Sequence, residues 1–241
     1  MTTRPAPERH IVALGGSGIS DKPSDRLLID FIFRLTRKRR PKICYLPTAT
    51  GDAKDNIASF LEAFPATRAK ASHLSVFRGC GVSDPAAHLA AQDIVYVGGG
   101  CTANMLALWR LHGIDRMLAR AWRGGVVMAG MSAGMICWFE EALTTSFGPG
   151  ANPLRGCLGL LKGSACAHYS NAAVRRPGYH RLIESGNLKP GYAADNCAAL
   201  HFVGGRLRES VSSIPEAKGY RVRLVAGKAV ETVLPTRYLG A

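Results

Sequence analysis

The sequence has few acidic residues, no long apolar run and no closely paired cysteines. It holds 17 Asp and Glu against 31 Lys and Arg, which gives a formal charge of +14 at pH 7 over 241 residues. No run of 18 apolar residues occurs, so we expect no membrane span, and the first ten residues lack the apolar core of a signal peptide. We predict a short flexible leader at residues 1–9 and a single domain over residues 10–241.

The cysteines are odd in number and form no CxxC pair, which argues against a disulfide framework or a zinc ribbon. The seven are Cys44, Cys80, Cys101, Cys137, Cys157, Cys166 and Cys197. This usage is typical of a protein from a reducing compartment, and we predict a cytoplasmic location and no metal site. Hydrophobic residues make up 47% of the chain and charged residues 20%, so a folded globular protein is expected rather than a disordered one.

The positive charge is densest between Arg34 and Lys42, and two interpretations are open. One is a site for nucleic acid or another polyanion. The other is the cationic end of a helix over residues 24–38, where positive charges complement the helix dipole and Pro41 follows the stop. No aromatic residue is interleaved with the basic run, so we favour the helix end and expect no nucleic-acid partner.

Apolar strands and amphipathic helices alternate through the first half of the chain. The predicted strands are 10–14, 43–49, 73–77, 93–97 and 126–129, and the predicted helices are 24–38, 53–64, 85–91, 102–111 and 114–123. This alternation predicts an α/β fold, a three-layer sandwich with a mostly parallel central sheet. Short strands at 198–203 and 220–225 are expected at the far edge of the same domain.

A G-x-S-x-G sequence at Gly130–Gly134 follows an apolar strand and precedes a helical run. In that context the sharp turn of a nucleophile elbow would expose the Ser132 hydroxyl, with the Ala133 N–H facing a developing oxyanion. Glycines at the end of the preceding strand, Gly98–Gly100, could supply a second donor. The glycines at 15–18 lack the spacing of a dinucleotide loop, so no nucleotide cofactor is expected.

A serine nucleophile needs a general base, and position along the chain favours His168 over His180. His168 lies in a short strand-like stretch after a glycine-rich loop, whereas His180 lies on the polar side of a predicted helix. His201 falls within an apolar strand and is expected to be structural. Cys101, at the glycine turn, is an alternative thiol nucleophile, although Ser132 already occupies the elbow.

Several short motifs follow one another along the chain from about residue 10 to about residue 225. They are Gly98-Gly99-Gly100 with Thr102, Gly130–Gly134 with Cys137–Glu140, Leu158–Leu161, His168-Tyr169, Arg175–Pro177 with Tyr179–Arg181, and Gly191–Asp195. Together they resemble the peptidase E (aspartyl dipeptidase) family of serine peptidases, whose fold is similar to that of class I glutamine amidotransferases. The resemblance implies a dipeptidase that acts through an acyl-enzyme, without a metal or other cofactor, on small peptides with an acidic N-terminal residue.

Carried over by position, the resemblance implies Ser132 as nucleophile, His168 as general base, and Gly99, Gly100 and Ala133 as the oxyanion hole. The sequence departs from the family pattern in places. Cys101 replaces the Asn that helps to hold the substrate side chain, and Thr145 stands where the family has the acidic third member of its triad. Ser170 stands where relatives often have Asp.

The third catalytic residue is therefore open between Thr145, Glu141 and Glu140. Arg175, Arg176 and Arg181 are candidates for binding a substrate carboxylate. The leading hypothesis is a serine-type peptidase, and the alternative is a catalytically weakened or silent relative that binds a small ligand or a partner in the same cleft. A homodimer is left open.

Overall fold

Two β-sheets form the framework of the computed structural model, which describes residues 7–17, 19, 23–77, 79–171 and 173–240. The strands are β1 His10–Leu14, β2 Lys42–Leu46, β3 Lys70–His73, β4 Ile94–Val97, β5 Val127–Met131, β6 Glu141–Thr144, β7 Asn152–Arg155, β8 Ser164–Cys166, β9 Gly191–Ala194, β10 Ala198–Val203, β11 Arg206–Ser212, β12 Gly219–Val225, β13 Lys228–Val233 and β14 Thr236–Tyr238. The helices are α1 Pro23–Leu35, α2 Lys54–Ala63, α3 Pro85–Ala90, α4 Thr102–His112, α5 Ile114–Arg123, α6 Ala133–Ile136 and α7 Arg175–Glu184, with a 3-10 turn at Thr48–Thr50. Residues 1–6 of the predicted leader lie outside the described residues.

The larger sheet has eight strands among the described residues, in the order β14-β11-β10-β1-β5-β4-β2-β3. Strands β1, β5, β4, β2 and β3 run parallel, with Val12 opposite Ala129 and Cys44 opposite Val95. The mostly parallel central sheet predicted from the alternation of strands and helices is therefore confirmed. The carboxyl ends of these strands meet at one edge, which is where an open parallel sheet places its active site.

Helices cover the larger sheet on both faces because successive strand residues point to opposite sides. On β1, Ile11 and Ala13 pack into one core with α4 and α5, whereas Val12 and Leu14 pack into the other with α1 and α2. All four side chains are fully buried. This two-sided burial explains why residues 11–14 are all apolar rather than alternately apolar and polar.

The smaller sheet has six strands in the part of the chain that the structure describes, in the order β13-β12-β9-β8-β6-β7. Helix α7 packs against it through Tyr179, Leu182 and Ile183. The pattern of apolar residues in the sequence did not predict that these strands form a second, separate sheet. Of the two late strands, β10 pairs directly with β1 in the larger sheet, whereas β12 belongs to the smaller one.

Local differences from the predicted elements have identifiable causes. The third strand covers Lys70–His73 rather than 73–77, because the chain leaves the sheet where the N–H groups of Val76 and Phe77 donate to Asp52 Oδ2 at 2.7 and 2.6 Å. Helix α3 begins where expected, with Asp84 Oδ1 accepting from the Ala87 N–H at 2.9 Å. No helix among the described residues is both long and apolar enough to cross a bilayer.

Candidate active site

Ser132 lies on a sharp bend between strand β5 and helix α6. Its backbone has φ 56° and ψ −109°, a conformation that non-glycine residues rarely adopt. The bend is held to the sheet by the Ser132 N–H, which donates to the Leu14 carbonyl at 3.1 Å. The strain, on the order of 1–3 kcal/mol, projects the partly buried hydroxyl above the carboxyl edge of the sheet.

The glycines around Ser132 are required by close backbone packing. A Cβ on Gly130 would lie 2.7 Å from the carbonyl oxygens of both Gly134 and Val97, and a Cβ on Gly134 would collide with the Val97 carbonyl. The G-x-S-x-G spacing therefore reflects the contact between the first turn of α6 and strand β4. It is the local feature that makes this serine recognisable from sequence.

His168 reaches Ser132 from the smaller sheet. It follows strand β8 and has φ 55°, and its N–H donates to the Gly15 carbonyl at 2.9 Å. Its Nε2 lies 2.8 Å from Ser132 Oγ, a distance at which the hydroxyl can donate to the ring. The structure thus places the predicted nucleophile beside the predicted base.

Asn196 is the partner on the other side of the imidazole. Its side-chain oxygen lies 2.7 Å from His168 Nδ1 and accepts the Nδ1–H, which leaves Nε2 free to accept from Ser132. Asn196 is in turn held by its own N–H, which donates to Ser170 Oγ at 3.2 Å. The result is a continuous chain of hydrogen bonds, Ser132–His168–Asn196.

The absence of a side chain at Gly16 leaves room for the hydrogen bonds between Ser132, His168 and Asn196. A Cβ at Gly16 would overlap Asn196 Oδ1 and lie 2.6 Å from His168 Nδ1. The Gly16 carbonyl also accepts from the Cys197 N–H at 2.9 Å, so the loop after β1 lies directly against the loop after β9. The glycine pair at 15–16 is thus a packing feature of the His168 side of the site.

The candidates for the third catalytic residue lie elsewhere, and Asn196 occupies the position on Nδ1 that was assigned to them. Thr145 is exposed, and its carbonyl accepts from the Gly148 N–H at 3.3 Å. Glu141 Oε2 accepts from the Lys189 N–H at 2.8 Å. Both residues belong to the region of strand β6 rather than to the loops that hold the imidazole.

Glu140 is likewise held by the turn that follows Leu161. Its carboxylate accepts from the Gly163 N–H at 2.9 Å and from the ammonium groups of Lys162 and Lys189 at 2.9 and 3.0 Å. These contacts, the Gly163 N–H foremost, lower the pKa of Glu140 to about 2. Asn196 was not predicted from the sequence; the signal that could have located it is the Gly191–Asp195 motif, which ends one residue before it.

Of the predicted oxyanion donors, Gly99 and Ala133 lie beside Ser132. A Cβ on Gly99 would lie 3.3 Å from Ser132 Cβ and 3.7 Å from its Oγ, so the turn is in contact with the serine. Gly100 has φ 134°, which favours glycine. Ala133 is the first residue of α6, so its N–H has no partner within the helix. Cys101 follows the turn, and its N–H donates to the Ala49 carbonyl at 2.8 Å.

The three candidate arginines lie in different environments. Arg175 is close enough to act on the imidazole: burial lowers the pKa of His168, the hydrogen bond to Asn196 opposes this, and the Arg175 charge lowers it further. Arg181 is exposed on α7. Of the three candidate arginines, Arg175 is therefore the one whose charge acts on the His168 imidazole.

Arg176 and His180 belong to a separate polar network. The Arg176 guanidinium lies 4.8 Å from the ring centre of Tyr169 and 5.1 Å from that of Tyr220, and its Nε is 3.5 Å from Glu231. His180 Nε2 is 2.9 Å from the Tyr169 hydroxyl, which donates to Glu231 Oε2 at 2.5 Å. Both residues therefore tie α7 to the smaller sheet rather than line the space above Ser132.

Comparison with known proteins relates this chain to peptidases. Residues 11–210 match the profile of peptidase family S51. The uncharacterized peptidase YgaJ of Bacillus subtilis (strain 168) is 45% identical over 232 residues, which is 96% of this chain and 100% of that protein.

Solved structures share the fold. A peptidase from an acI-B1 Actinobacterium superposes with a TM-score of 0.66 at 14% identity and covers 94% of each chain. A putative peptidase E protein from Listeria monocytogenes EGD-e superposes with a TM-score of 0.59 at 14% identity, over 83% of this chain and 97% of that one. These similarities confirm the fold that the motifs implied.

Proposed function

The chain belongs to peptidase family S51, and from this premise we propose that it is a serine-type peptidase that hydrolyses small peptides with Ser132 as its nucleophile. The observation that carries the proposal is the 2.8 Å contact between Ser132 Oγ and His168 Nε2. It joins a hydroxyl on a strained bend to a base whose other nitrogen is already engaged, which is the arrangement that activates a weak nucleophile.

The chemistry follows from the positions of these atoms. His168 Nε2 takes the proton as Ser132 Oγ attacks the substrate carbonyl, and the negative charge develops on the carbonyl oxygen. The N–H of Ala133 and the Gly99–Gly100 turn would stabilise that charge. The protonated imidazole then gives its proton to the leaving amine, which breaks the peptide bond. Water hydrolyses the acyl-enzyme by the same route in reverse, and no step requires a cofactor.

Asn196 fixes the direction of the proton transfer. Because its amide oxygen accepts the Nδ1–H at 2.7 Å, Nε2 is the nitrogen that faces the serine. A neutral amide orients the ring but stabilises imidazolium less than a carboxylate does. An Asn in this role accompanies a cysteine nucleophile in papain-like proteases. We therefore expect slow turnover, and the alternative of a weakened relative that binds ligand in the same cleft rests on this amide.

Arg175 supports a substrate with a free C-terminus. The leaving amine of a dipeptide must lie beside His168, which protonates it, and the carboxylate of that amino acid is then a short distance away. Arg175 acts electrostatically on the same imidazole. A guanidinium there would pair with this carboxylate and favour dipeptides over longer chains.

A fluorophosphonate probe tests the assignment of the nucleophile. We expect the probe to label the protein at Ser132 and the label to disappear in Ser132→Ala. Ser185→Ala, which alters an exposed serine at the end of α7, is the matched control and should label normally. Absence of label on the folded wild-type protein would refute a serine hydrolase. Labelling without hydrolysis of any dipeptide in a library would favour the weakened relative.

A further inference from the structure

A cavity of about 250 Å³ lies beside Ser132 and has no role in the mechanism above. Resting on the proposed function, we propose that this cavity receives the side chain of the acyl residue and that it takes a long basic side chain, lysine or arginine, with Asp55 as the counter-ion. The lining residues that bear on this assignment are Tyr45, Asp55, Phe60, Tyr96, Gly98 and Met131.

One end of the cavity adjoins the reacting serine. Met131 lines the cavity and immediately precedes Ser132, and Gly98 lines it and precedes Gly99. A Cβ on Gly99 would lie 3.3 Å from both Met131 Cε and Ser132 Cβ. A substrate carbonyl in reach of Ser132 Oγ therefore has this opening next to it. The volume is below the roughly 300–1,000 Å³ typical of pockets for whole drug-sized ligands, which suits a single side chain.

The walls are aromatic and tightly packed. Tyr45 and Phe60 stack with ring centres 4.6 Å apart and an 8° angle between planes, and Tyr96 lies 6.5 and 6.4 Å from them. All three are buried. Such walls accommodate the methylene stem of lysine or arginine, and aromatic rings also attract the cation at its end.

Asp55 supplies the charge at the solvent side. It lies in the first turn of α2 and is exposed, and within the described part of the chain its carboxylate has no hydrogen bond or ion pair. Two aspartates elsewhere on the surface are paired, Asp93 with Lys38 and Asp30 with Arg68. Among the described residues Glu62 and Glu216 are exposed and unpaired as well, so what sets Asp55 apart is that its carboxylate lines the cavity.

The same lining disfavours an acidic side chain. None of the described residues around the cavity carries a positive charge, so the carboxylate of an aspartyl or glutamyl residue would meet Asp55 without compensation. The geometry therefore points away from the acidic N-terminal residue that the family resemblance implies.

Two dipeptides that differ only in the terminal charge test the assignment. Lysyl-alanine and norleucyl-alanine share the same carbon stem, and we expect kcat/KM to be up to about 5-fold higher for the lysyl substrate, since the ion pair with the exposed Asp55 is partly screened by solvent. Asp55→Asn should bring that ratio close to one. Glu62→Gln removes an exposed carboxylate from the same helix outside the cavity and should leave the ratio unchanged.

Other outcomes would overturn the proposal. Preference for norleucyl, phenylalanyl or glutamyl substrates would assign the cavity to another side chain. A loss in Asp55→Asn that falls equally on the lysyl and norleucyl substrates would mean that Asp55 binds the α-ammonium group. A ratio unaffected by Asp55→Asn would remove Asp55 from recognition.

A binding measurement separates this proposal from the function on which it rests. Lysinamide and norleucinamide are titrated into Ser132→Ala and into Ser132→Ala with Asp55→Asn, where no turnover is needed. If no dipeptide is hydrolysed but lysinamide binds in an Asp55-dependent way, the cavity assignment stands and the peptidase function fails. Hydrolysis of dipeptides without selective binding of lysinamide would support the peptidase function and refute the cavity assignment.

Discussion

The Ser132 side and the His168 side of the site are built in different ways. Consecutive residues form the first, since β5, the strained bend and α6 follow one another without interruption. The second joins residues that are 28 positions apart, His168 and Asn196, across a glycine from the loop after β1. The first side therefore depends on local backbone geometry, and the second depends on how three distant loops pack.

Gly16→Ala should have the largest effect on the His168 side. The added methyl group would overlap Asn196 Oδ1 and crowd His168 Nδ1, so one or both side chains must move. Because a displacement of about 1 Å can cost about 100-fold in rate, we expect kcat to fall by about that factor or more. Steady-state hydrolysis of the best dipeptide from the library measures it, with circular dichroism to confirm folding.

The matched control is Gly124→Ala at the end of α5, where the backbone has φ −76° and an added Cβ would lie 3.3 Å from the Ala121 carbonyl. It should retain nearly normal kcat. Normal turnover in Gly16→Ala would mean that the His168–Asn196 contact is not part of the reacting arrangement.

Substitutions of Asn196 also test the His168 side, and we expect them to change kcat less than Gly16→Ala does. Asn196→Ala removes the acceptor that fixes the Nδ1–H, and we expect kcat to fall by about 10- to 100-fold, within the loss of about 10⁴-fold known when a triad tautomer is wrong. Asn196→Asp should raise kcat, because a carboxylate stabilises the imidazolium that forms during attack.

The pH profile gives a second readout for the same residue. His168 must be neutral to act as a base, and burial lowers its pKa from the ordinary value of 6.5. The acid limb of the activity profile should therefore lie below pH 6.5. In Asn196→Asp the new charge raises the pKa of His168, so the acid limb should move to higher pH. Thr145→Asp, the change suggested by the family pattern, should leave the limb in place, and a shift there would restore Thr145 as the third position.

Much of the Ser132 side could be predicted from the sequence because each of its requirements is local. The apolar run of β5, the glycines at 130 and 134 and the small residue at 133 are all direct consequences of one bend. The central parallel sheet was predictable for the same reason, since burial on both faces makes inner strands such as β4 and β5 apolar throughout.

The His168 side could be predicted only in part. His168 stood out by its position in a motif, but Asn196 becomes its partner only once β9 and β10 have brought residue 196 beside the loop after β1. The carboxylates close to Ser132 in sequence, Glu140 and Glu141, were natural candidates, yet the chain turns away and binds them to the loops at 163 and 189. Sequence proximity was a poor guide there because strand β6 enters the other sheet.

Glu140→Gln should have the smallest effect, on stability alone. Its carboxylate accepts from the Gly163 N–H and two exposed lysines, and these contacts lower its pKa to about 2. A carboxyl whose pKa is lowered in the folded state stabilises the protein above its ordinary pKa and loses that contribution as the pH falls toward 2. We expect Glu140→Gln to lower the free energy of unfolding by about 1 kcal/mol at pH 7, since solvent screens the lysines, and the difference from wild type to shrink as the pH falls below about 4. Urea unfolding at pH 7 and below pH 4 measures this difference in stability, with Glu62→Gln as an exposed control that should change little.

Glu140 is only eight residues beyond Ser132 but belongs to the smaller sheet, so kcat of Glu140→Gln should stay unchanged. A large loss of activity would instead make Glu140 a partner of His168 and reverse the contrast between the two sides of the site.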